Sequence, residues 1–187
     1  MTEATRKKSK SQNRQVVAII KHVLNLELLN ASGQRKGIEI IEQNMHRLGH
    51  SDTDLLHLKG GLLELLGNYP EATKIYRQIL RLVPHHLGAT NDLADVNRDK
   101  GNFQKALTYY NRTLNLLKTG KGIKGRFNYV KGEDYLHAIE GKVDCLLALK
   151  KPKLAIKYLL EALKRYPYNK RLGTRFQEAQ EIYQQLE

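Results

Sequence analysis

The sequence predicts an all-α protein made of stacked antiparallel helix pairs. Gly67-Asn68-Tyr69-Pro70-Glu71-Ala72 returns 34 residues later as Gly101-Asn102-Phe103-Gln104-Lys105-Ala106, and Tyr76, Leu80 and Leu82 meet Tyr110, Leu114 and Leu116 at the same offset. A fixed period of this length marks a repeat architecture. Apolar residues recur at helical spacing on both sides of the echo, and Gly, Asn and Pro punctuate them at intervals that suit short helices. Such a chain builds an extended surface rather than a deep pocket.

The elements follow in order. Met1 to Arg14 is polar and basic, with nothing apolar to pack, and is expected to be a flexible tail. A helix is expected from about Gln15, where Val16, Ile19, Ile20, Val23, Leu24 and Leu28 share one face. The run 30–33 breaks it. Ile38, Ile41, Met45 and Leu48 carry a second helix from about Arg35, and Ser51-Asp52 offers a cap for the next. Leu55, Leu56, Leu58, Leu62, Leu63 and Leu66 make a strongly apolar third helix. Gly67-Asn68 turns the chain, and Pro70 suits the first turn of the fourth helix, where a missing N–H costs nothing. That helix ends near Leu82, before Pro84. Residues 87–100 and 102–117 repeat the scheme.

The register then slips. Ala155 lies 49 residues after Ala106, fifteen beyond the period, so an insertion is expected over about 118–134, rich in Gly and Lys. Residues 135–149 and 152–165 form another pair, and a polar helix over about 169–186 would seal the exposed end. The expected organisation is a tail over 1–14 and a single domain over 15–187. Its pairs fall at about 15–49, 53–83, 87–117 and 135–166.

The 187 residues are 41% hydrophobic and carry a net charge of +13. The charge sits at the ends: residues 1–51 hold +5, 52–117 hold +1 and 118–187 hold +7. Basicity of this size favours acidic partners, whether nucleic acid, anionic lipid or an acidic protein face. No run of about 18 uncharged apolar residues is present, so no membrane span is expected. The N-terminus lacks the apolar centre of a secretory signal. Cys145 is the single cysteine and reads as a buried structural thiol, which fits a reducing, cytoplasmic setting.

Signals for chemistry are weak. His85-His86 lie adjacent in a turn and His46 and His50 lie four apart, without the Cys or carboxylate partners a metal needs. No Ser/His/Asp set or paired carboxylates stand out. The Gly-Lys-Gly run in the insertion lacks the Gly-Lys-Ser/Thr ending of a phosphate loop, and no strand precedes it. No enzyme activity, cofactor or metal is expected.

The repeat resembles the tetratricopeptide repeat. Leu56, Gly60, Leu63, Ala72, Tyr76 and Pro84 carry the likeness in one unit; Leu93, Ala94, Ala106 and Tyr110 in the next; and Ile139, Leu146, Ala155, Leu159, Ala162 and Pro167 in the last. Thr90 and Asn97 depart from the pattern, Lys118 replaces a Pro, and Lys142-Val143 replace Leu-Gly. Residues 15–49 fit loosely, with Gly37 as the small residue. The resemblance covers about 15–168 and implies a right-handed α-α superhelix with a C-terminal capping helix. It also implies a non-catalytic adaptor whose first helices line a concave groove for a protein segment.

The non-core stripe of those helices supplies the groove candidates: Asp54, His57 and Glu64; Asn91, Asp95 and Arg98; His137, Glu140 and Asp144. The stripe leans acidic, which suits a basic or polar peptide. The paired cations of a carboxylate clamp are missing. A second reading is association with nucleic acid through the basic ends. Its candidates are Arg6, Lys7, Lys8, Lys10 and Arg14 in the tail and Lys121, Lys124 and Arg126 in the insertion, with Phe127 and Tyr129 as stacking rings.

Overall fold

The computed structural model describes residues 3–26, 30–48, 51–122 and 133–185, with side chains of the first helix described from Lys10 onward. Among the described residues there are nine α-helices and no strand element: α1 (Glu3–Leu24), α2 (Ala31–Leu48), α3 (Thr53–Leu65), α4 (Tyr69–Leu82), α5 (Leu87–Asp99), α6 (Phe103–Lys118), α7 (Glu133–Ala148), α8 (Pro152–Arg165) and α9 (Lys170–Gln184). The helices fall into two compact units, Met1–Pro84 and His85–Glu187.

In the first unit α1 packs on α2 and α3, α2 on α3, and α3 on α4. Val16, Ile20 and Val23 of α1, Ile41 and Met45 of α2, Leu55, Leu56 and Leu62 of α3, and Ala72, Tyr76 and Ile79 of α4 are buried. Gly37 is buried in α2, as expected of the small residue. One expectation is corrected. The stretch read as a tail is helical from Glu3, about twelve residues before Gln15. It contains no Gly or Pro, and its Ala, Arg, Lys, Gln and Glu residues favour helix without needing a buried face. Gln12 Nε2 also donates to the Leu48 carbonyl at 2.9 Å, tying α1 to the end of α2.

In the second unit α5, α7 and α9 touch in succession. Helix α6 packs on α5 and α7, and α8 packs on α7 and α9. The unit is therefore two-layered, with α5, α7 and α9 in one layer and α6 and α8 in the other. Helix α9 buries Leu172 and Ala179 against the preceding pair and leaves a polar outer face, which is what an end-sealing helix requires.

The period survives in atomic detail. Ala72, Ala106 and Ala155 are each the fourth residue of their helix, and none has accessible surface. The turns match as well. Gly67, Gly101 and Lys150 all adopt positive φ (73°, 75° and 55°). After each, the next amide bonds back to a carbonyl five residues earlier: Asn68 to Leu63, Asn102 to Asn97 and Lys151 to Leu146, each at 2.8 Å. This is the Schellman closure of a helix, and it favours Gly because a Cβ is strained there. Lys150 keeps the conformation without the glycine.

Glycines inside the helices have opposite roles. A Cβ on Gly141 would overlap the Tyr110 ring and hydroxyl, whereas one on Gly173 would meet nothing within 4 Å. Both lie in the second unit. Gly173→Ala is expected to raise stability by up to about 1 kcal/mol through helix propensity. Gly141→Ala is expected to lower it by about 1–2 kcal/mol, because overpacking a rigid buried ring outweighs that gain. Urea unfolding followed by circular dichroism checks the sign of each; two stabilising substitutions would contradict the contact.

A candidate interaction face on α5, α7 and α9

Charged side chains from the three helices of one layer converge in the second unit. Asp95 and Arg98 are three apart on α5. His137, Glu140 and Asp144 fall at i, i+3 and i+7 on α7, and Arg171 and Arg175 are four apart on α9, so each set shares a helix face. Tyr110 rises between the layers beneath them. Its hydroxyl donates to Asp95 Oδ1 at 2.5 Å and accepts from Arg98 Nη1 at 3.1 Å. Arg98 also lies 3.1 Å from Asp95 Oδ1, and His137 Nε2 lies 2.6 Å from Asp95 Oδ2. Further along, Arg98 approaches Asp144 at 4.0 Å, Arg175 binds the other Asp144 oxygen at 2.5 Å, and Arg171 binds Glu140 at 2.6 Å. Arg175 also reaches Glu178 at 2.9 Å.

The surroundings shift several of these groups. The hydrogen bond to Asp95 raises the His137 pKa above its ordinary 6.5; burial and Arg98 oppose the shift, while the charges of Asp95 and Asp92 add to it. Burial raises Asp144, and Arg175 and Arg98 hold that rise in check. Burial, then the neighbouring Asp95, pushes Tyr110 upward, so it stays a neutral donor. Cys145 is buried and pushed up to about 11 by burial, so it is an unreactive thiol, as the sequence indicated.

His137 gives a pH prediction with a definite sign. A raised folded-state pKa means that the stability from the His137–Asp95 pair is fully present below about 6.5, and is lost as pH rises through the folded-state value. Histidine ring proton shifts followed by NMR are expected to put the midpoint above 6.5 and to move it down in Asp95→Asn. A midpoint unchanged by that substitution would remove the pair as the cause.

The sequence candidates are thus partly gathered and partly dispersed. Asp95, Arg98, His137, Glu140 and Asp144 come together. Asn91 does not join them. It is buried on α5, and its Nδ2 reaches the Asp134 carbonyl at 3.5 Å. Asp54, His57 and Glu64 lie in the first unit. Glu64 Oε2 accepts from the Tyr76 hydroxyl at 2.8 Å, His57 meets the Tyr76 ring edge-on at 6.2 Å, and Asp54 is buried. Glu64 and Arg98 are one period apart, as are Tyr76 and Tyr110, so both repeats tie the tyrosine hydroxyl to one position with opposite charge. Of the nucleic-acid candidates, Lys10, Arg14 and Lys121 are exposed. The side chains of Arg6, Lys7 and Lys8, and residues Lys124, Arg126, Phe127 and Tyr129, lie outside the described residues.

Sequence reasoning missed Arg171, Arg175 and Glu178. The signal was present: they stand 34 residues after His137, Gly141 and Asp144, so α9 continues the period as an unpaired first helix. It also missed His86, whose Nδ1 accepts from the Ala89 amide at 3.1 Å and caps α5. Among the described residues no group of three His, Cys, Asp or Glu side chains could hold a metal, and no helix is long and apolar enough to cross a membrane.

Residues 52–119 match the family model described as tetratricopeptide repeat. The 52–119 segment carries tetratricopeptide repeats. Solved structures share the fold. A putative kinesin light chain with nearly identical repeats, from Podosopora anserina, aligns with a TM-score of 0.60 at 14% identity over 99% of this chain and 94% of that one. YrrB, a repeat protein with an unusual peptide-binding site, gives 0.55 at 17% identity over 74% of this chain. Naa15/Naa10 bound to HypK gives 0.60 at 15% identity over 92%. The chain spans 63% of the YrrB chain and 23% of the Naa15/Naa10 chain that it matches. No curated protein matches the sequence. The family is in general a non-catalytic scaffold for protein–protein interaction.

Proposed function

We propose that this protein is a non-catalytic adaptor, cytoplasmic in location, that holds a protein segment against the α5–α7–α9 face. The supporting observation is the convergence of Asp95, Arg98, His137, Glu140 and Asp144 with Arg171 and Arg175 on one layer. Each of these groups can trade a partner within the chain for one on a bound segment, and alternating carboxylates and guanidiniums fix the register of a polar peptide more than they add affinity. The acidic members accept basic side chains, and the arginines accept carboxylates or backbone carbonyls. Nothing in the face pairs a nucleophile with a base.

Affinity capture from the native cell, with nuclease treatment, tests the reading. The full chain is expected to retain a protein that Glu140→Gln/Asp144→Asn loses. A preparation that retains no protein after nuclease, or a variant that retains the same protein equally, would refute it.

A further inference from the structure

The two layers of the second unit differ sharply in charge. Helices α5, α7 and α9 contain nine Asp/Glu and five Lys/Arg. Helices α6 and α8 contain seven Lys/Arg and a single acid, Glu161. On α8, Lys153, Lys157, Leu160 and Lys164 recur at i, i+4, i+7 and i+11, so they form one stripe, and all four are exposed. Lys150 and Lys151 continue the cations at the start of the helix and are exposed too. Helix α6 has no acid at all. Its exposed residues include Gln104, Lys105, Thr108, Asn111, Arg112 and Asn115, all of which can donate hydrogen bonds.

We propose that the outer face of the α6–α8 layer binds single-stranded nucleic acid through its sugar–phosphate backbone. Lysine and arginine neutralise phosphates, and threonine, asparagine and glutamine side chains are common donors to phosphate and sugar oxygens. Helix α6 exposes no large apolar residue and α8 exposes Leu154 and Leu160; two leucines among lysines do not make the continuous apolar face by which a helix lies in a membrane surface. Tyr168, at the turn after α8, is 95% exposed and supplies a ring on which a base can stack beside Lys164 and Lys170. The surface uses none of Lys10, Arg14 or Lys121. It lies on the layer opposite the proposed peptide face, so the two readings stand or fall separately.

Fluorescence anisotropy of the full chain with a labelled 20-nucleotide oligouridylate tests it. Binding at 0.1 M salt is expected to weaken with added salt, with a log–log slope of about −3 if some four phosphates are neutralised. Lys157→Glu/Lys164→Glu is expected to reduce affinity about tenfold or more and to flatten that slope by about 1. Tyr168→Ala is expected to reduce affinity about fivefold. Lys157→Gln/Lys164→Gln guards against misfolding and is expected to show a smaller loss of the same kind. Three results would overturn the proposal. One is no binding at 0.1 M salt. Another is a loss from Lys10→Glu/Arg14→Glu as large as that from the α8 pair. The third is tighter binding to polyglutamate or to phosphatidylserine vesicles than to the oligonucleotide.

Discussion

Tyr110→Ala is expected to cost the second unit about 3–5 kcal/mol, the range for truncating a fully buried aromatic side chain. The ring has no accessible surface and lies among Ala94, Ala106, Ala138 and Cys145, with Gly141 pressed against its tip. The fully buried neighbours are small, and the larger Phe103, Leu107 and Leu114 that pack against the same cluster relax into only part of the space, so the loss falls within that range. Tyr110→Phe keeps the ring and removes the hydroxyl. It takes the donor from Asp95 and an acceptor from Arg98, and is expected to cost about 1–2 kcal/mol. Because the chain divides into two compact units, the effect is best read by hydrogen exchange. Amides of α5, α6 and α7 are expected to lose protection in Tyr110→Ala. A global loss below about 1 kcal/mol would show that the ring does not hold these helices together.

The parts of the fold that the sequence revealed are those governed by local backbone chemistry and by period. The echo of Ala72 at Ala106 and Ala155 located three buried helix contacts, because a small side chain suits the close approach of two helices and the same chain repeats it. The turn at Gly67 and its copy at Gly101 were legible for the same reason. Lys150 was not, since nothing about a lysine announces positive φ. The helical start at Glu3 is invisible to apolar spacing, because that segment favours helix by propensity, and a long-range bond from Gln12 ties it to the end of α2. The face of α5, α7 and α9 was half legible. Spacing placed Asp95, His137, Glu140 and Asp144 on one stripe, but spacing cannot say which side chain turns inward. Asn91 does so to reach a carbonyl 43 residues away. The arginines of α9 are legible only when that helix is counted as one more period, since a polar last helix suits a cap equally well.

Asp95→Ala is expected to be the most costly change on the charged face, at about 2–3 kcal/mol. The carboxylate has 10% of its side-chain surface exposed and receives Tyr110, Arg98 and His137 at once. Removing one member of a buried pair costs more than the pair contributes, because the remaining groups stay desolvated without a partner. Here the penalty falls on the buried Tyr110 hydroxyl and on Arg98, whose own 27% exposure allows some rehydration and brings the figure below the fully buried range. Asp95→Asn separates charge from hydrogen bonding. Its amide oxygen can still accept from Tyr110 or Arg98, so it is expected to retain more than half of the lost stability, while the His137 pKa falls as in any variant lacking the anion. The double variant Asp95→Ala/Tyr110→Phe closes the argument. If the two residues act as one contact, its cost is expected to be about that of Asp95→Ala alone, giving a coupling energy equal in size to the cost of Tyr110→Phe, about 1–2 kcal/mol, by urea unfolding. Strict additivity would mean that the bond between the layers carries no stability and that Tyr110 is held by packing alone.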